Sequence, residues 1–194
     1  MKAYAFKTTD LGKTWTNIIP NDDVTGFTRN IQEDYVNKDL LFLGTELGLY
    51  ITINGGDKWS KFTKNVPPVA VHYIELQANT NDLVMGTHGR GVIIIDDISP
   101  LREINETNLS NKLYFFERDQ FEIQEFGGFA DNFGRETQFI GANSSLSCQI
   151  QYLLPRRHTF GKMTMEIQDM KGNKVTTLNP GKTKGINTVE WNYN

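Results

Sequence analysis

The sequence predicts an all-β fold, and three observations lead there. A pair of turn motifs recurs at a fixed period, short β-branched runs dominate the apolar residues, and Gly- and Asn-rich turns punctuate the C-terminal half. With 17 Gly, 12 Phe, 7 Tyr and 3 Trp in 194 residues, the composition suits half-buried pleated surfaces joined by tight turns. The length is enough for two cores. A net charge of −3, with acids and bases interspersed, argues against a nucleic-acid footprint. No stretch approaches the roughly 20 apolar residues that span a bilayer. Met1–Phe6 is too short for a signal peptide, so any export signal is expected upstream of this segment. The lone Cys148, on the alternating run 147–153, reads as a small strand hydrophobe: it has no disulfide partner and no companion zinc ligands.

The repeat sets the architecture. Thr8-Thr9-Asp10-Leu11-Gly12-Lys13-Thr14-Trp15 recurs as Thr52-Ile53-Asn54-Gly55-Gly56-Asp57-Lys58-Trp59, with Asp10, Gly12 and Trp15 each 44 residues before Asn54, Gly56 and Trp59. A second motif, 41–50, echoes at 83–92. Two motifs with one blade-sized period make coincidence a poor account. The chemistry of the turn motif is that of a hairpin. Asp10 or Asn54 accepts backbone N–H groups two or three residues on, Gly12 or Gly56 takes a positive φ, and Trp15 or Trp59 opens the outgoing strand and enters the core.

The pattern Thr-x-Asp-x-Gly-x-Thr-Trp resembles the Asp-box (BNR repeat) of sialidases, sortilin-like propellers and related proteins. The second copy departs from it at Asn54 and Lys58. The segment 81–102 is similar to the closing blade of large bacterial propeller proteins often labelled sortilin-like or "glycosyl hydrolase". This resemblance implies the last blades of a β-propeller, followed by an immunoglobulin-like β-sandwich. It implies a periplasmic, cell-surface or extracellular protein, and the remainder of the propeller as a partner.

On this reading residues 1–97 hold the propeller blades, with strands expected at 3–8, 14–19, 26–32, 40–45, 48–53, 58–63, 71–77, 82–87 and 90–97. Residues 98–112 are a helical connector opening at Ser99-Pro100. Residues 113–194 are the sandwich, with alternating runs at 113–117, 120–126, 136–140, 147–154, 162–169, 173–178 and 187–193. The resemblance makes that module incomplete, since such modules usually have further strands.

Candidate sites weigh towards structure. His88 and Arg90, in the glycine-flanked Thr87–Gly91, suit either a carboxylate ligand or a blade seam in which Arg90 pairs with Asp96 or Asp97, and the seam is favoured. Asp96 and Asp97 are adjacent on a strand and face opposite sides, which disqualifies them as the paired carboxyls of a glycosidase. Asn21-Asp22-Asp23 reads as a turn rather than a calcium loop, and Arg156-Arg157-His158 as a solvated tip. Triplets at Asn105, Asn108 and Asn143 fit the glycosylation pattern. No catalytic set, metal site or cofactor is expected. The functional expectation is therefore a non-catalytic module binding protein or glycan, without nucleic acid or a membrane span. The alternative is the end of a sialidase-like glycoside hydrolase whose catalytic residues lie in earlier blades.

Overall fold

The computed structural model describes residues 2–20, 22–117 and 147–193. The fold is predominantly β, built of antiparallel sheets in two compact units, Met1–Asn105 and Glu106–Asn194.

Three sheets in chain order make up the first unit. A short hairpin pairs β1 (Phe6–Lys7) with β2 (Thr16–Asn17). A four-stranded meander follows: β3 (Thr28–Glu33), β4 (Leu41–Thr45), β5 (Gly48–Thr52) and β6 (Ser60–Phe62). A three-stranded meander, β7 (Val71–Gln77), β8 (Asp82–Thr87) and β9 (Val92–Ile95), comes last. Helix α1 (Ser99–Glu103), with proline in its first turn, ends the first unit in chain order, and α2 (Glu106–Ser110) begins the second. The strands expected at 71–77 and 82–87 lie at those bounds, whereas those expected at 3–8 and 14–19 shrink to two residues each.

Burial explains why β4 reads as an unbroken apolar run. The middle sheet is covered on both faces, so every residue of β4 is buried. On one side Leu41, Leu43, Tyr50 and Trp59 form a core with Ala3, Ile19 and Val24 from the first hairpin and its flanks. On the other, β7 lies against β3 and β4. A Cβ added to Gly44 would stand 2.7 Å from the Val71 carbonyl oxygen, so only glycine admits that approach. The last sheet keeps an alternating pattern instead. Ile74, Leu76, Leu83 and Met85 are buried, while Tyr73, Val92 and Ile94 stand exposed on its opposite face.

The second unit carries a three-stranded sheet of β10 (Tyr114–Phe115), β11 (Cys148–Leu154) and β14 (Gly185–Trp191), and a separate hairpin of β12 (Met165–Gln168) and β13 (Lys174–Leu178). Tyr152 is fully buried and donates its hydroxyl to the Gly181 carbonyl at 2.6 Å. Buried Asn187 ties the same loop through bonds to Thr183 and Gly185. The strands expected at 120–126 and 136–140, and the triplet at Asn143, lie outside the described residues.

Candidate functional site

The two repeat turns share one hydrogen-bond scheme. Thr8 Oγ1 donates to Asp10 Oδ1 at 2.8 Å and accepts from the Gly12 N–H at 2.9 Å. Thr52 does the same with Asn54 (2.7 Å) and the Gly56 N–H (3.1 Å). Asp10 Oδ1 accepts the Thr14 N–H at 2.9 Å, and Asn54 Oδ1 the Lys58 N–H at 3.1 Å. Thr14, where the second copy has lysine, adds a hydroxyl bond to Asp10 Oδ2 at 2.7 Å. Bonds from the Thr14 backbone, then its hydroxyl, then Thr8 hold the Asp10 carboxyl at about 2, well below its ordinary value. Gly12 and Gly56 take positive φ of 86° and 108°. The threonine two residues before each acid or amide organises both turns, a role that sequence reasoning missed. Its signal was the presence of Thr8 and Thr52 in both copies.

The tryptophans part company. Trp59 is 4% exposed and donates its indole N–H to the Ile18 carbonyl at 2.7 Å. A Cβ on Gly56 would lie 2.7 Å from that same oxygen, so turn and indole together clasp the end of the first hairpin. Trp15, expected in the core at the equivalent place, is 60% exposed and bonds the Gly12 carbonyl of its own turn at 3.1 Å. The physical reason is plain: no sheet stands before the first hairpin among the described residues to offer a carbonyl.

The carboxylate pairing expected of Arg90 is made instead by Arg102. Arg90 is exposed and pairs with no carboxylate among the described residues. Arg102 grips Asp34 with Nε and Nη2, both at 2.9 Å, in a bidentate fork. Its Nη1 donates to Asn81 Oδ1 at 2.7 Å, and its guanidinium lies 4.7 Å over the Tyr35 ring. Asp34 is 1% exposed and accepts also from the Val36 and Asn37 N–H groups. Burial pushes its carboxyl up, but the Arg102 and backbone hydrogen bonds outweigh it and hold the carboxyl below the ordinary range.

His88 and the aspartates lie at opposite ends of β9, so they are not brought together. The His88 ring stacks on His72 with centroids 5.7 Å apart. Asp97 accepts from the Ser99 N–H and hydroxyl ahead of α1, and its own N–H donates to Asp82, while Asp96 is exposed. No family model, curated protein or solved structure matches the chain. Among the described residues no group of three or more His, Cys, Asp or Glu is placed to hold a metal ion. No described helix is long and apolar enough to cross a membrane. Asp22 pairs with Lys2 at 3.4 Å, and Asn21 lies outside the described residues.

Proposed function

We propose that residues 1–97 are blades of an Asp-box β-propeller and that the chain is a non-catalytic interaction module of a larger exported protein. The second unit is read as its immunoglobulin-like sandwich, and the ligand as a protein or glycan. One observation carries the reading. The second repeat turn clasps the carbonyl of Ile18 with Gly56 and Trp59, whereas the same apparatus on the first hairpin, Gly12 and Trp15, faces outward. Its occupant is accordingly another Asp-box hairpin, the segment that would stand 44 residues earlier in the repeat. Exposed Tyr73, Val92 and Ile94 give the last sheet a matching open face.

Light scattering and hydrophobic-dye binding on the intact chain test this. Concentration-dependent association and dye binding are expected, with the dye signal reduced by Trp15→Ser while Trp59 fluorescence is kept. A dispersed monomer that binds no dye overturns the reading. Arginines and acids at the inward strand starts of earlier blades of the same polypeptide would restore the hydrolase alternative.

A further inference from the structure

The second and third sheets share a detail at one end. In the pairing of β3 with β4, Thr28 lies opposite Thr45 and Asn30 opposite Gly44, so Arg29 is an extra residue. In β7 with β8, Val71 lies opposite Thr87 and Tyr73 opposite Gly86, which makes His72 the extra residue. Both sheets thus carry a bulge at the second position of the first strand, 43 residues apart, and each re-aims a cationic or titratable side chain. The neighbouring turns are equivalent too: the Glu46 N–H donates to the Phe27 carbonyl at 3.3 Å, and the His88 N–H to the Ala70 carbonyl at 2.9 Å. That second bond fixes the turn whose imidazole stacks on His72.

The charges at this end are one-sided. Arg29 rests 4.6 Å over the Phe27 ring, and β3, which carries it, packs against β7, which carries His72. Partial desolvation first, then the charges of Arg29 and His88, lower the pKa of the exposed His72. None of the Arg29, His72 and His88 side chains has a hydrogen bond or ion pair with a described residue. Arg90 adds a further cation to the β8–β9 turn. The one acid of the facing turns, Glu46, lies over Gly26, where an added Cβ would meet its Cγ at 2.9 Å.

We infer that Arg29, His72 and His88, presented by the paired bulges of β3 and β7, form a binding site for an oxyanion: a carboxylate, or a sulfate or phosphate group, of an acidic ligand. Arg29 supplies a permanent fork of N–H donors, and the two imidazoles supply further N–H donors. A bound anion offsets the repulsion that Arg29 and His88 exert on a protonated His72, so binding favours the protonated ring and strengthens on acidification. Glu46 opposes it. The site is complete within two sheets and does not depend on the open faces being filled.

The experiment follows the His72 and His88 ring C–H resonances of the intact chain. Sodium sulfate or sodium acetate is added at constant ionic strength, with sodium chloride as the reference. Saturable shifts of both rings are expected, tighter at acid than at neutral pH. Arg29→Gln should weaken binding about tenfold, the loss of one charged hydrogen bond, and Glu46→Gln should tighten it. Tighter sulfate binding assigns a sulfate or phosphate ligand, and tighter acetate binding a carboxylate. Shifts that chloride reproduces, or that survive unweakened in Arg29→Gln with Trp59 fluorescence unchanged, overturn the inference.

Discussion

Leu11 has a backbone that its repeat partner gives to glycine. Its φ is 62°, Gly55 at the equivalent position has 69°, and the Leu11 side chain is fully exposed. A left-handed leucine with nothing to pack against is strained without return. Leu11→Gly is therefore expected to raise stability by roughly 0.5–1 kcal/mol despite the entropy lost, measured by denaturant unfolding. Such local chemistry was legible in the sequence. Asp10, Gly12, Asn54 and Gly56 occupy turns whose bonds span at most four residues, and spacing alone points to them. The fate of Trp15 was not legible, because an indole's burial depends on what lies over it, and its sequence context matches that of buried Trp59.

At the scale of the sheets, direction matters. Gly44 and Gly86 sit at matching places in successive sheets, opposite Asn30 and Tyr73. Yet a Cβ on Gly44 meets the Val71 carbonyl at 2.7 Å, while one on Gly86 meets nothing closer than Tyr73 Cβ at 3.6 Å. Gly44→Ala must push β7 off the middle sheet and is expected to cost about 1–3 kcal/mol, whereas Gly86→Ala should stay within about 0.5 kcal/mol of wild type. Thermal unfolding of the two variants separates them, and equal losses would contradict the one-sided packing. The run at 40–43 and the alternation at 71–77 made these strands readable. The bulges at Arg29 and His72 were not, since register belongs to a pair of strands and neither sequence alone records it.

The first unit is tied across its sheets by a contact that sequence could not reveal, for Asp34 and Arg102 are 68 residues apart. Asp34→Ala would leave a largely buried guanidinium unpaired and is expected to destabilise by roughly 3–5 kcal/mol, by denaturant unfolding. Because the fold holds the Asp34 carboxyl below its ordinary value, its contribution is complete above about pH 5. It is lost as pH falls through about 4 towards the folded value, where the native carboxylate must at last take up the proton the unfolded chain already holds. The fall in unfolding temperature on acidification should therefore be shallower in Asp34→Asn than in wild type. The same fork has a mechanical meaning. The chain leaves the first unit three residues after Arg102, so tension drawn from the C-terminal side reaches this ion pair before it reaches any strand. Load is passed sideways to the β3–β4 turn and Asn81, and β9, the edge strand nearest the exit, is spared being unzipped one hydrogen bond at a time.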